Sequence, residues 1–149
     1  MKLAIASDHG GFHLKNATLN YLTSRKIECS DFGVADENSV DYPDFAAKVA
    51  EEVSKGRYQG GILVCGTGIG MAITANKFRG IRAAVVTDPY TARMSKEHND
   101  ANVIALGGRV LDEAKALQTV GAWLDAKFEA GRHERRLAKI QEFEDKNFK

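Results

Sequence analysis

Short apolar runs alternate along the chain with stretches whose apolar residues recur every three or four positions. Lys2–Ser7 (KLAIAS) is the first run and ends at Asp8-His9-Gly10-Gly11. Leu14, Ala17, Thr18 and Tyr21 then share one face of a helix. Ile27–Phe32 reads as a second, weaker strand and Gly33–Asp41 as a polar loop. A helix begins at Tyr42-Pro43-Asp44, where proline suits a first turn, and shows Phe45, Ala46, Val49, Ala50 and Val53 on its apolar face. Gly60-Gly61 ends that unit. Ile62–Cys65 reads as a buried strand, and a glycine turn leads into a helix over Met71–Phe78. Ile81–Thr87 predicts a fourth strand, Tyr90–Glu97 a helix after the Asp88-Pro89 turn, and Val103–Leu106 a fifth strand ending at Gly107-Gly108. Leu117, Val120, Gly121 and Leu124 are helically spaced. A last, highly charged helix covers roughly Glu134–Lys146, with Leu137, Ile140 and Phe143 expected on its inner side.

Strands separated by helices predict an α/β, Rossmann-like, three-layer sandwich: a five-stranded parallel sheet with helices on both faces. The common order 2-1-3-4-5 is expected. No repeat, low-complexity segment or linker divides residues 1–149, so one domain is expected. The charged last helix either packs on this domain or reaches across to a partner subunit. In open parallel sheets a ligand sits at the carboxyl ends of the strands, where strand order reverses. That point lies between the first and third strands, and both end in polar, glycine-marked turns: Asp8–Gly11 and Cys65–Gly70.

Composition adds exclusions. Of 149 residues 44% are hydrophobic and 28% charged, which suits a globular chain with a real core. A net charge of +1 gives no global reason to expect nucleic acid or an anionic membrane as partner. No apolar stretch nears the ~20 residues that span a bilayer, and the N-terminal run turns polar too soon for a secretory signal. A cytoplasmic location is therefore expected. Cys29 and Cys65 make no disulfide framework and are read as free thiols.

The candidate chemistry centres on Cys65-Gly66-Thr67-Gly68-Ile69-Gly70. Successive glycines let backbone N–H groups line one concavity, and the helix that follows adds its positive end. No Gly-Lys-Ser/Thr follows, and Met71 stands where a dinucleotide fingerprint needs its third glycine. Standing alone, the turn could equally be structural, its glycines serving only to allow positive φ. A thiol beside such donors is favoured as the thiolate, which can act as base or nucleophile. Cys29 reads as a small hydrophobe. Asp8 and His9 can bond sugar hydroxyls or move a proton, or else cap a helix from the surface. Arg132 and Arg136, one helical turn apart, can clamp a dianion or lie on a solvated basic face. Arg109 follows Gly107-Gly108 at the same sheet edge and is a further phosphate candidate. His13 and His133 read as solvated surface, and no Cys/His cluster at ligand spacing points to a metal.

Taken together these stretches resemble the ribose-5-phosphate isomerase B family, which includes galactose-6-phosphate and allose-6-phosphate isomerases. The matching segments run through nearly the whole chain: Ser7–Gly11, Asp41-Tyr42-Pro43, Cys65–Gly70, Ala75-Asn76-Lys77, Gly80-Ile81-Arg82, Ser95–Asn102 and Gly131–Arg136. The resemblance implies interconversion of ribose 5-phosphate and ribulose 5-phosphate, a step of the non-oxidative pentose phosphate pathway, through a cis-enediolate and without metal or organic cofactor. It implies that Cys65 is the base, where some relatives carry Glu. Thr67 and the amides of Gly66, Gly68, Ile69 and Gly70 would cradle the enediolate oxygens. His98 would open the sugar ring. Asp8, His9 and Tyr42 would contact the ring oxygen and hydroxyls. Asn99, Arg109, Arg132 and Arg136 would hold the substrate, the arginines chiefly through its phosphate. It also implies a homodimer or homotetramer whose sites combine residues of two subunits.

Two other readings compete. A hexose 6-phosphate would need only a slightly deeper pocket, a difference of about 1–3 kcal/mol. A non-catalytic, flavodoxin-like module would bind a sugar phosphate or mononucleotide without turnover. A phosphatase with Cys65 as nucleophile is disfavoured, because residues 66–71 contain no arginine to close a phosphate loop.

Overall fold

The computed structural model describes residues 1–148. In chain order the elements are β1 (Lys2–Ser7), a 3-10 turn (His9–Gly11), α1 (Phe12–Ser24), β2 (Glu28–Asp31), α2 (Tyr42–Ser54), β3 (Gly60–Cys65), α3 (Ile69–Ala75), β4 (Ala83–Val85), α4 (Pro89–Asn99), β5 (Val103–Gly107), α5 (Glu113–Asp125) and α6 (Arg132–Asn147). Every strand pairing is parallel. Alternate residues of the strands feed two cores. Ala4, Ala6, Leu63 and Ala105 pack under α2 and α3 with Val49, Ala50 and Met71. Leu3, Ile5, Ile62, Val64, Ile104 and Leu106 pack on the other face with Leu14, Leu22, Ala92, Val120 and Trp123 from α1, α4 and α5. Each such large side chain, fully buried, contributes about 1.5–3 kcal/mol.

The strand order is β2-β1-β3-β5-β4, so the expected 2-1-3-4-5 is corrected at its last two positions. All five residues of β5 are buried, whereas the three of β4 are half-buried or exposed. The longer apolar strand takes the interior, and the short one becomes an edge. That edge is closed by a side chain: Ala83 N–H donates to Asn76 Oδ1 at 2.8 Å, and Asn76 Nδ2 donates to the Ala83 carbonyl at 3.0 Å. One consequence reaches the site. Gly107 lies in register with Cys65, so the turn after β5 runs beside the turn after β3.

Other boundaries shift as well. Gly60 and Gly61 begin β3 instead of ending the preceding unit. A Cβ on Gly61 would fall 2.5 Å from Val49 Cγ1, so the glycine lets α2 lie close on the sheet. Helix α3 starts at Ile69 and stops at Ala75, and β4 is three residues long.

The helices return chain from the carboxyl edge of the sheet to its amino edge. Helix α4 opens with a capping box: Asp88 Oδ1 accepts from Thr91 N–H, and Thr91 Oγ1 accepts from Asp88 N–H. Its 11 residues span about 16 Å. His98 and Asn99 therefore lie at the amino edge, a helix length from Cys65. Helix α6 adds a second difference from expectation. Among its residues only His133 is buried, and Ile140 and Phe143 are 52% and 66% exposed. Leu137 is half-buried and lines a cavity with Ile81, while the stripe beyond it is largely exposed.

Candidate active site

The carboxyl ends of β1, β3 and β5 converge on an open cleft of about 440 Å³. Asp8 closes one side and is 7% exposed. Its Oδ1 accepts from the N–H groups of Gly10 and Gly11 at 2.9 and 3.2 Å, so it caps the 3-10 turn while lining the cleft. The capping role is filled, and the same residue is placed at the cleft. His9 does not line the cleft. Its Nδ1 accepts from Val40 N–H at 3.2 Å, which ties it to the loop before α2.

Cys65 is the last residue of β3 and is 5% exposed. Its Sγ accepts from Gly68 N–H at 3.1 Å. Such a contact strengthens as the sulfur gains negative charge. Gly68 stands at φ +84°, a conformation that a side chain would strain. Thr67 Oγ1 accepts from Ile69 N–H at 3.2 Å. Gly66, Thr67, Ile69 and Gly70 line the same cleft. The Tyr42 ring packs on Gly70, where a Cβ would lie 2.3 Å from it. Across the cleft, Gly108 N–H donates to the Cys65 carbonyl at 2.7 Å and Arg109 N–H to the Gly66 carbonyl at 3.0 Å. These bonds follow from the β3–β5 pairing and bring the Arg109 guanidinium against Gly66. The arrangement offers a thiol, a carboxylate, a hydroxyl, backbone donors and one guanidinium around a single opening. It can bind a polar, anionic molecule and move a proton on it.

The remaining candidates gather elsewhere. His98 and Asn99 end α4, and Arg132 opens α6 with Arg136 one turn on. The junction is tied by Glu129 N–H donating to the Glu97 carbonyl at 3.0 Å. His98 and His133 stack with ring centroids 4.3 Å apart and planes 16° from parallel. His133 is 6% exposed, which corrects its reading as solvated surface. Burial, then His98, Arg132 and Arg136, hold its pKa below the usual histidine value, so its ring is neutral at neutral pH. His13 is exposed beside Glu37, as expected.

The His98 Nε2 lies 3.9 Å from a Glu129 carboxylate oxygen. Donor atoms of His98, Glu129 and His133 fall within 4.8 Å of one another, a grouping that sequence spacing did not reveal. A metal ion lies in the plane of each imidazole that binds it. Two near-parallel stacked rings point their lone pairs side by side, so this arrangement does not converge on an ion. Sequence reasoning also missed Ile73 in the cleft and the fully buried Lys15, whose Nζ donates to Asp31 and to the Val34 carbonyl. The nearest signal for His133 was its place between two candidate arginines. Glu129 gave none, because a chain break in helical periodicity separates it from His133.

Known proteins bear on both halves. The family model described as Ribose/Galactose Isomerase matches residues 3–140. Ribose-5-phosphate isomerase B of Escherichia coli is 46% identical over 145 residues, 97% of each chain. A structure of Clostridium thermocellum ribose-5-phosphate isomerase B superposes with a TM-score of 0.96 at 54% identity, covering 98% of this chain and 99% of that one. The Mycoplasma genitalium ribose-5-phosphate isomerase B, solved with bound ribulose 5-phosphate, gives 0.94 at 38% identity, covering 98% and 97%. Matches that extend through the Cys65 turn, the His98 helix end and the start of α6 place this chain in the ribose/galactose isomerase family.

Proposed function

We propose that the chain, as one domain, interconverts ribose 5-phosphate and ribulose 5-phosphate in a homo-oligomer whose sites are shared between subunits. The observation that carries the chemistry is Cys65 in the cleft with its sulfur on the Gly68 amide. A C–H beside a carbonyl is a weak acid, and its removal needs a base together with donors for the oxyanion that forms. Cys65 takes the proton from one of the two reacting carbons and returns it to the other, while the hydroxyl proton passes from one enediolate oxygen to its neighbour. Thr67 and the amides of the Gly66–Gly70 turn hold the enediolate oxygens. The electron pair stays within the sugar, so no external oxidant or reductant is consumed. Asp8 and Tyr42 orient the substrate from the same subunit, and His9 holds the loop before α2 beside them.

His98, Asn99, Arg132 and Arg136 act from the other subunit. The support is geometric: α4 carries His98 about 16 Å back from the edge that holds Cys65. A second copy brings the two sets together, and exposed Ile69, Ile73, Ile140 and Phe143 supply apolar surface for that contact. His98 then opens the sugar ring, and Arg132 and Arg136 join Arg109 around the phosphate. Both thiols are free, which suits the reducing cytoplasm.

Initial rates of wild type and Cys65→Ala, with ribose 5-phosphate and allose 6-phosphate in parallel, test this reading. Turnover of the pentose is expected to fall by about a thousandfold in the variant. Near-normal activity of Cys65→Ala would remove the thiol from the mechanism. Binding without turnover in wild type would leave a sugar-phosphate binding module.

A further inference from the structure

Among the described residues, Glu129 is the carboxylate that stands within 4.0 Å of the His98 ring. Glu97 faces Arg93 at 3.8 Å along its own helix. Asp100 lies between Arg82 and Lys96, at 3.5 and 3.8 Å. On α5, which packs against α4, Asp125 binds Arg25, and Trp123 faces Lys96. Helix α6 brings cations, a second imidazole and one acid in its first turn: Arg132, Arg136, His133 and Glu134. Glu129 lies in the loop before α6, and its carboxylate stands 3.9 Å from His98 Nε2. Its backbone bond to Glu97 fixes the loop on the very helix end that carries His98.

We infer that Glu129 is a positioning residue for His98: it makes the exposed ring, and not its stacked neighbour His133, the imidazole that carries the proton used in ring opening. The inference rests on the reading of His98 as the ring-opening group. Two rings stacked at 4.3 Å disfavour a second positive charge, so the pair takes up one proton first. His133 is buried among arginines, where an imidazolium is poorly solvated. His98 is partly exposed and has the Glu129 carboxylate within ion-pair distance. Glu129 thus acts through another residue, in the way that an orienting third group supports a catalytic base.

The test uses Glu129→Gln and Glu129→Asp in the full chain. Glu129 is exposed, so both variants keep the fold. The His98 ring resonance is identified by its loss in His98→Gln and followed by NMR from pH 5 to 9. In Glu129→Gln its midpoint is expected to move to lower pH by about half a unit, with the matching limb of the kcat profile moving alongside it. Glu129→Asp restores both in part, and KM stays within about twofold of wild type. A purely structural role would change thermal stability and leave the midpoint and profile in place. Coincident His98 midpoints in wild type and Glu129→Gln overturn the inference. So does a shifted midpoint with an unchanged kcat profile. Absence of turnover in wild type would instead sink the isomerase reading, while the NMR titration would still report whether Glu129 governs His98.

Discussion

The two ends of the sheet are built in different ways. At the carboxyl edge, backbone does most of the work. The Gly68 amide meets Cys65, the Gly10 and Gly11 amides meet Asp8, and the turn after β5 is hydrogen-bonded to the turn after β3. At the amino edge, side chains dominate: a histidine stack, a glutamate and two arginines on the ends of α4 and α6. The first region is complete within one chain because parallel pairing sets it. The second buries His133 but leaves His98 partly exposed, beside an apolar stripe of α6 in which Ile140 and Phe143 are exposed. The proposed chemistry uses both, and so calls for the carboxyl edge of one subunit to meet the amino edge of another.

The sharpest way to break this contrast is to mix two inactive variants. Cys65→Ala has a damaged carboxyl edge and His98→Gln a damaged amino edge. In a two-fold dimer with shared sites, a mixed pair has one site with both defects and one with neither. Co-refolding equal amounts is expected to recover roughly a quarter of wild-type activity from two nearly inactive parents. If each chain holds a whole site, the mixture stays as inactive as its components, and the shared-site reading fails.

A smaller effect is expected from the uncovered stripe of α6. Ile140 and Phe143 are 52% and 66% exposed, so replacing both with Glu costs the isolated chain little. The double variant should keep the wild-type circular dichroism spectrum and sediment as a monomer. Its activity at low enzyme concentration should drop at least about tenfold, in proportion to the lost dimer, and recover partly as concentration rises. Full activity in a monomeric variant would show that the amino edge is dispensable.

The same contrast explains what was legible in the sequence. Helix and strand order, and the crevice between β1 and β3, follow from local periodicity and from turns of fixed chemistry. Asp8, Cys65, Thr67 and their glycines sit on those turns, so their convergence could be read directly. The placing of β5 inside β4 could not, because both runs are apolar and only competition for the interior separates them. The swap matters, since it sets Arg109 against Gly66. The burial of His133 and its stack on His98 depend on where α6 lands on α4, a tertiary contact with no periodic signature. Leu137, Ile140 and Phe143 are expected on the inner side of α6, but only Leu137 is half-buried, because an apolar stripe does not say whose surface will cover it.

The smallest predicted effect compares the cleft thiol with the other one. Cys29 lies on β2, half-buried, away from the glycine turn. Burial first, and then the Asp31 carboxylate, push its pKa up to about 12 from an ordinary 9.0. The native state therefore keeps its proton at pH values where the unfolded chain has lost it. Stability from this group is fully present below the unfolded value and is lost as pH rises from about 9 toward 12. Removing the thiol removes that loss. Between pH 7 and pH 10, Cys29→Ala should gain about 1 kcal/mol relative to wild type in urea unfolding, while its kcat and KM at pH 7 stay within about twofold. An unchanged stability difference across that range would mean that the Cys29 thiol ionises as readily in the folded protein as in the unfolded chain. A fall in kcat comparable to that of Cys65→Ala would mean that the chemistry is not confined to the carboxyl edge.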